Sequence, residues 1–500
     1  MRALISLTDK SNLKYLGEEF QKLNIEIIST GGTLRKLEEY NISAKDISSI
    51  TNFKEILGGR VKTLSPYVHG GILFRRDLDE DVSTIKEMNI LPIDIVVVNL
   101  YDFARALKGG EHNNIIENID IGGPTMIRAA AKNYKDVLVV TDLSDYEELI
   151  SRLKENRVDL NYREYLASKA FSLTAYYDSM ISRYFLNKTN IESKYFTLGL
   201  DFVQDLRYGE NHSQEAKLYK DNFVESYFSD FEIVHGKEMS FNNYADLNPA
   251  IELASELGDM AVVGLKHQTP CAAALKSSVF ESYKAMYEAD STSIFGGIVA
   301  INGVVDEKTA TMINEIFLEI VAAIDFTPEA LKILTSKKNI RLLKIDFSKK
   351  VPNKEYKYLD GVVLEQQRDT KEDGYEIVTK KNPTEDERKD LEFAMKVVKY
   401  VKSNGIVVAK NGVTLGIGTG QTSRIWALSA IKNNYDVDFT GASLASDAFF
   451  PFDDCVRMAY EMGIGSIIQP GGSIKDSLSI DACNELGISM AFTGVRHFRH

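Results

Sequence analysis

Residues 93–100 read IDIVVVNL and residues 136–141 read DVLVVT. Both runs are short, almost wholly apolar and rich in β-branched residues. A strand with one face in water alternates apolar with polar residues, whereas a strand covered on both faces does not. The two runs therefore predict buried strands of a parallel sheet with helices packed on each side. Working outward, Ala3–Leu7 and Ile25–Ser29 read as two further strands. Ser11–Leu23, Thr33–Tyr40, Glu147–Glu155 and Arg163–Asn187 have helical periodicity. Residues 1 to about 190 are expected to form one doubly wound α/β domain.

A new region begins at Phe196–Leu206, and alternating strands and helices continue. Met260–Leu265 predicts a strand before a helix, and Ile298–Ile301 another. Residues 336–390 are rich in Lys, Asp and Asn, as in SKKNIRLLKIDFSKK and DERKD, and read as an exposed strand pair plus a connection. A further α/β unit follows, with strands Gly405–Ala409 and Val413–Gly418, a helix from Thr422, a strand Ser466–Gln469 and a last helix to Leu486. No internal sequence repeat and no low-complexity segment stands out.

The chain has 500 residues, 44% apolar and 26% charged, enough for about three domains of ordinary size. Its net charge of −13 argues against a general nucleic-acid binder, which needs a basic surface to displace counterions. Local basic pockets can still take phosphorylated metabolites. The cysteines, Cys271, Cys455 and Cys483, form neither a disulfide framework nor a C-x-x-C pair, so a reduced, cytoplasmic setting is expected. The opening MRALISLTDK turns polar at once, and no apolar run approaches about 18 residues. Neither a signal peptide nor a membrane span is expected.

Several strand ends carry chemistry. STGGT (Ser29–Thr33) closes one strand and opens a helix. Gly31 and Gly32 let backbone N–H groups approach a ligand, and the helix start adds partial positive charge. This is either a phosphate cradle or a tight turn. LTDK (Leu7–Lys10) ends the neighbouring strand, which brings Thr8 and Lys10 to the same edge. GGRVKTL (Gly58–Leu64) adds Arg60, Lys62 and Thr63. NLY (Asn99–Tyr101) ends a buried strand, and IDIGGPTMIRAAAKN (Ile119–Asn133) places Asp120 before another Gly-Gly, with Lys132 further along a helix.

Residues 265–275, LKHQTPCAAAL, pose a different question. Thr269 reads as an N-cap and Pro270 as a first helical residue, so a helix is expected there. Lys266 and His267 would then lie near a helix N-terminus. The dipole there disfavours added positive charge and favours a neutral imidazole that can accept a proton. A histidine that only packs or hydrogen-bonds is the other reading. Pro270-Cys271 matches half of the zinc-deaminase signature H-x-E…P-C-x-x-C. The next cysteine would fall at Ala274, and none of the seven histidines opens an H-x-E, so a zinc site of that type is not expected. A metal-free scaffold of related form is still open. Near the C-terminus, SDAFFPFDD (Ser446–Asp454) is an aromatic-acidic cluster. TGVRHFRH (Thr493–His500) is either a solvated tail or a holder for a flat ring and an anion.

Taken together, SLTDK, STGGT, GGRVKTL, VVNLY, IDIGGPTMIRAAAKN, LRYGEN, LKHQTPC, SIFGGIVA, AKNG, GIGTGQTSRI, SDAFFPF and VRHFRH resemble, in order and over essentially the whole chain, one bifunctional purine-biosynthesis family. In that family, phosphoribosylaminoimidazolecarboxamide formyltransferase is joined to inosine monophosphate cyclohydrolase. The resemblance implies an α/β fold: a methylglyoxal-synthase-like domain over residues 1–195, closing the purine ring, then a formyltransferase region over 196–500. The latter would hold two cytidine-deaminase-like units without zinc, about 196–365 and 366–500. It implies 10-formyltetrahydrofolate as cosubstrate, purine ribotides as substrates, no catalytic metal, and a homodimer with the transferase site across the interface. Neither nucleic acid nor membrane is implied as a partner.

The resemblance also implies residue roles. Thr8, Lys10, Ser29, Thr30, Gly31, Gly32 and Thr33 would bind phosphate, with Arg60 and Thr63 beside a catalytic group of Lys62, Tyr101, Asp120 and Lys132. Lys266, His267 and Asn411 would carry formyl transfer. Arg207, Tyr208, Arg496, Phe498 and His500 would bind ribotide, while Phe449, Pro451 and Asp454 would face the folate. The chain departs from the family at Asn211-His212-Ser213-Gln214, where N-P-H-Q is common. It departs again at Asp102, where proline is usual, at residues 322–325 (AAID), and in PCAAA where PCG is common.

Overall fold

The structure is a computed structural model that describes residues 1–349, 351–371 and 374–500. It divides into two compact units, Met1–Asp201 with Lys220–Asn222, and Phe202–Tyr219 with Phe223–His500. The division falls a little beyond the residue 195 expected from sequence.

In the first unit β1 (Arg2–Ser6), β2 (Glu26–Ser29), β3 (Lys45–Asp46), β4 (Ile95–Val98) and β5 (Leu138–Val140) form one sheet in the order β3-β2-β1-β4-β5. Every pair is parallel. Ile95–Val98 is buried along its whole length, as the run IVVV requires. Leu4, Ile5, Ile27, Val96 and Val139 of the sheet pack with Phe20, Ile127, Leu149 and Leu166 of the helices in one core. A thirty-residue helix, Leu160–Thr189, is started by Asp159, whose carboxylate accepts the Tyr162 N–H at 2.8 Å. The winding direction reverses between β1 and β4, which opens a crevice at the C-terminal edge of the sheet.

The second unit opens with a ribbon, β6 (Asp201–Leu206) paired with β7 (Ala216–Lys220). Next come β8 (Glu232–His235), β9 (Ala261–Lys266), β10 (Thr269–Leu275), β11 (Ile298–Val305), β12 (Ile320–Phe326) and β13 (Arg341–Lys344). An exposed antiparallel ribbon of β14 (Lys354–Leu359) and β15 (Val362–Gln367) follows. This is an exposed strand pair as expected within 336–390, but the quoted RLLK is the buried strand β13 of the large sheet and DERKD lies in the helix Glu385–Val398; Lys350, Glu372 and Asp373 lie outside the described residues. The chain ends with β16 (Glu376–Ile377), β17 (Ile406–Lys410), β18 (Val413–Gly418), β19 (Ser443–Ser446), β20 (Ser466–Gln469) and β21 (Ser489–Phe492).

Twelve of these strands make one sheet, β16-β21-β20-β19-β17-β18-β10-β9-β11-β12-β13-β8. Its halves have the same wiring. In each, an antiparallel hairpin (β9–β10, β17–β18) leads to an antiparallel neighbour (β11, β19), two parallel strands, and an antiparallel edge (β8, β16). Helices Phe241–Leu257 and Glu385–Val398 share a single core with one face of both halves, through Leu247, Ile251, Leu391 and Val398. The other face has a separate core for each half, around Tyr283 and Met286 in one and Leu428 and Val456 in the other. So the chain does repeat, although no repeat stands out in its residues: alternation of burial is retained where identity is not.

One expected helix is absent. Thr269–Leu275 is strand β10, paired antiparallel with β9 from Thr269↔Lys266 to Leu275↔Ala261. Pro270, which cannot donate to the ladder, sits where the register shifts between Pro270 and Ala272. Ala272, Ala273 and Ala274 are all fully buried. Alanine favours helix in isolation, but tertiary packing overrides that preference in a strand covered on both faces.

Candidate functional site

At the C-terminal edge of the first sheet, the loop after β1 is tied to the loop after β4. The Thr8 N–H donates to Asn99 Oδ1 at 2.6 Å, and Asn99 Nδ2 donates to the Asp9 carbonyl at 2.8 Å. Thr30 precedes the helix Gly31–Glu39, and Gly31 has φ +45°. A Cβ on Gly31 would lie 3.2 Å from Lys62 Nζ, and one on Gly32 would lie 3.8 Å from Lys10 Nζ. Two ammonium groups thus converge on a glycine-rich helix start. Ser29 and Thr33 are spent on holding it: Ser29 Oγ donates to the Ile5 carbonyl at 2.8 Å, and Thr33 Oγ1 accepts the Leu7 N–H at 2.9 Å. Two cations beside it pair with carboxylates, Lys62 with Glu55 at 2.9 Å and Arg60 with Glu117.

The second Gly-Gly works by close approach. A Cβ on Gly122 would meet Thr63 Oγ1 at 2.7 Å, and one on Gly123 would meet Asp120 Oδ2 at 2.5 Å. Asp120 accepts the Gly123 N–H at 2.8 Å, and its own N–H donates to the Tyr177 hydroxyl at 2.8 Å. Burial raises the Asp120 pKa, against the opposing pull of the Gly123 and Tyr101 N–H groups. Because the folded value exceeds the unfolded one, this carboxyl favours folding when protonated and loses that contribution as pH rises. The acid limb of any reaction that needs its carboxylate is therefore expected above the usual Asp range. A pH–rate profile of the first unit's activity would refute this if its acid limb fell near the ordinary value of 3.8.

Lys132 is not in this group. It ends the helix Gly122–Lys132, about 15 Å along the axis from Gly122 at 1.5 Å per residue whereas Asp120 bonds the helix start, and lines a 790 Å³ cleft with Leu73, Arg128, Tyr134, Glu164 and Phe171. Asp102, in place of the usual proline, caps the helix Phe103–Gly109 by accepting the Arg105 N–H at 2.9 Å.

In the second unit Lys266 ends β9, and His267 and Gln268 form a two-residue hairpin turn with φ of 54° and 61°. There is no helix N-terminus here, so the dipole argument for a neutral imidazole falls with the helix. Lys266 Nζ donates to the Phe295 carbonyl at 2.8 Å. The helix Phe241–Leu257 presents Asn242 and Asp246 one turn apart, hence on one side. Asn242 Nδ2 donates to the Glu210 carbonyl at 3.2 Å, and Asp246 Oδ1 accepts the Gln268 N–H at 2.8 Å. The helix thereby ties the Arg207–Gln214 loop to the His267 turn. In that loop His212 stacks on Tyr208 at 4.5 Å, and the Arg207 guanidinium lies 5.6 Å from the Tyr208 ring centroid.

Loops after β18, β19 and β21 meet around a buried ion pair that reading by motif did not single out. Arg424 Nη2 donates to Asp447 Oδ1 at 2.7 Å and to Asn404 Oδ1 at 2.8 Å, while Nη1 donates to the Phe449 carbonyl at 3.0 Å. Asp447 also takes the Gly405 N–H at 3.0 Å, and its carbonyl takes the His497 N–H at 2.9 Å. The tail is therefore folded, with the Arg496 guanidinium 4.4 Å from the Phe498 ring centroid and that ring 5.6 Å from His500. Phe449, Pro451 and Asp454 border the same loops. Lysine at 424 would keep the charge and lose the fork, so Arg424→Lys is expected to cost about 1.5–3 kcal/mol. Thermal melting reads this directly, and an unchanged Tm would rule out the clamp.

Asn411 lies elsewhere. It turns β17 into β18, and β18 runs antiparallel to β10 with Val413 opposite Ala274. Lys276 Nζ donates to the Asn411 carbonyl. The two turns thus occupy opposite ends of β10, about 20 Å apart at 3.3 Å per residue. The loops after β18, β19 and β21 share the His267 edge. Among the described residues no group of three or more His, Cys, Asp and Glu is placed to hold a metal ion, and no helix is long and apolar enough to cross a membrane.

A family model described as an MGS-like domain matches residues 12–125, and one described as the AICARFT/IMPCHase bienzyme matches residues 130–433. Among curated relatives, the bifunctional purine biosynthesis protein PurH of Clostridioides difficile is 52% identical over 511 residues, covering 100% of this chain and 99% of its own. Those of Caldicellulosiruptor saccharolyticus and Petrotoga mobilis are each 49% identical, with the same coverage.

Proposed function

The chain belongs to the AICARFT/IMPCHase bienzyme family, and on that premise we propose how its two units share the work. It formylates aminoimidazole carboxamide ribotide (AICAR) from a folate donor and closes the product to inosine monophosphate (IMP). We assign ring closure to the first unit and formyl transfer to the second, with 10-formyltetrahydrofolate as the donor.

Ring closure needs the carboxamide nitrogen to attack the formyl carbon, followed by loss of water. Lys62 is assigned to the developing oxyanion, Lys10 and the helix start at Thr30–Gly32 to the ribotide phosphate, with Thr8, Arg60 and Thr63 around them. Ser29 and Thr33 keep that helix start in place. Asp120, with Tyr101 beside it, is assigned to orientation and proton transfer. Lys132 receives no step within a single chain.

For formyl transfer, His267 takes the proton from the attacking 5-amino group. Lys266, aimed by its bond to the Phe295 carbonyl, stabilises the tetrahedral oxyanion and the departing folate nitrogen. Arg207, Tyr208, Arg496, Phe498 and His500 are assigned to the ribotide, and Phe449, Pro451 and Asp454 to the folate. Asn411 stands across β10 from this group, which supports a homodimer in which a second chain brings its own Asn411 turn. We place the enzyme in the cytoplasm.

The observation that carries this reading is Lys266-His267 on a rigid hairpin turn, tied by one helix to the Arg207–Tyr208 loop. A turnover assay with AICAR and 10-formyltetrahydrofolate tests it: IMP is the expected product. Tight binding of both without turnover would instead mark a sensor that kept the pockets and lost the chemistry.

A further inference from the structure

The repeated wiring of the second unit makes the His267 and Asn411 turns counterparts. Lys266-His267-Gln268 connects β9 to β10 as Lys410-Asn411-Gly412 connects β17 to β18. Both are two-residue turns with positive φ at each central residue, 54° and 61° in the first, 54° and 67° in the second. That geometry suits Asn-Gly, the pair at 411–412, whereas side chains such as His and Gln crowd the backbone there.

Each turn is met by an aspartate from the helix that precedes its hairpin. Ser240 and Thr384 begin the two helices with capping boxes, and Asp246 and Asp390 stand six residues beyond their caps. Asp390 Oδ2 accepts the Asn411 N–H at 2.7 Å and Oδ1 accepts the Gly412 N–H at 2.7 Å. Asp246 Oδ1 accepts the Gln268 N–H at 2.8 Å. A side-chain carboxylate thus holds each turn, through both N–H groups at Asn411-Gly412 and through the Gln268 N–H at His267-Gln268, and neither turn can relax without losing charge-assisted bonding.

We propose that Asp246 is a positioning residue for formyl transfer, holding the His267-Gln268 turn in its left-handed conformation so that the imidazole faces the substrate, and that Asp390 does the same for Asn411. The proposal rests on the assignment of His267 as the base. It predicts unequal dependence. The His-Gln turn, unsuited to its geometry, needs its aspartate more than the Asn-Gly turn does.

The test uses the full chain with Asp246→Asn, Gln268→Gly, His267→Ala and their combinations. Asparagine is isosteric but uncharged, so the Gln268 N–H loses its charge-assisted acceptor and an NH₂ takes the place of the second oxygen. Asp246→Asn should lower the transferase kcat about 10- to 100-fold with KM within about threefold, since small misplacements of reacting groups cost that much. Ring closure of supplied formylated ribotide should be unchanged. Glycine accepts positive φ, so Gln268→Gly should restore Asp246→Asn to within about threefold of Gln268→Gly alone. On a His267→Ala background Asp246→Asn should add less than about twofold. Asp390→Asn should lose only about threefold.

A transferase kcat within about twofold of wild type in Asp246→Asn would overturn the proposal, as would an undiminished loss after Gln268→Gly or on the His267→Ala background. If Asp246→Asn alone does not fold, the comparison of Asp246→Asn/Gln268→Gly with Gln268→Gly decides the matter. Wild-type transfer in His267→Ala, which leaves Asp246 intact, would sink the underlying assignment instead.

Discussion

His267→Ala is expected to lower formyl transfer about 10²- to 10⁴-fold, the usual contribution of a positioned general base. The 5-amino group of AICAR is a poor nucleophile, because its lone pair is delocalised into the ring and toward the carboxamide. Removing its proton as the bond to the formyl carbon forms is where a base helps most. KM should change little, since the assigned phosphate and ring contacts lie on Arg207, Tyr208, Arg496 and Phe498. Ring closure of supplied formylated ribotide should continue at its normal rate, because that chemistry is assigned to the other compact unit. Alanine also carries a backbone penalty at φ 54°. His267→Asn is the matched control, since asparagine tolerates that region and occupies the counterpart turn at 411. Near wild-type formylation in both variants would remove His267 from the mechanism.

Lys62→Ala should do the reverse. Loss of one preorganised donor to a developing oxyanion costs about 10²- to 10³-fold. Lys62 Nζ stands beside Gly31 and 2.9 Å from Glu55, whose carboxylate holds it close to the helix start. Formyl transfer should be spared, and the coupled reaction should accumulate formylated ribotide instead of IMP. An unfolded first unit would accumulate the same intermediate but would also alter the melting transition, so thermal melting separates a chemical defect from a folding defect. Unimpaired IMP formation from supplied intermediate would discard the assignment.

The first unit was readable because its central strands are buried on both faces, and IVVV at 95–98 admits few alternatives. The edge chemistry followed, since strand ends in a parallel sheet must collect on one side. The hairpin at 266–269 was not readable. In its strand β10, Ala272 and Ala274 share a core with helix Val279–Ala289, which presses so close that a Cβ on neighbouring Gly264 would meet Met286 Sδ at 2.8 Å, while Ala273 packs in the core of the opposite face. Only small side chains fit, and small side chains resemble helix. The separation of His267 from Asn411 follows from β10 pairing with β18, exemplified by the Ala273 N–H to Thr414 Oγ1 bond across 141 residues of sequence. No local pattern encodes such a pairing. Asp246 and Asp390 escaped notice because they act on backbone N–H groups, which carry no sequence signature. Arg424 and Asp447 lay inside quoted motifs, and only their burial reveals that they join three loops.

The twelve-stranded sheet also has a consequence for synthesis. The pairings among β8 to β13 lie within residues 232–344, so this half can complete its own ladder before β16 at residue 376 leaves the ribosome. Until β18 arrives, β10 is an unprotected edge, the kind of strand that recruits foreign chains. Pro270 at one end and three consecutive alanines offer such a recruit one missing donor and little apolar side chain to grip. The residues that make β10 look unlike a strand are those that make it safe to leave open while the second half of the sheet is being made.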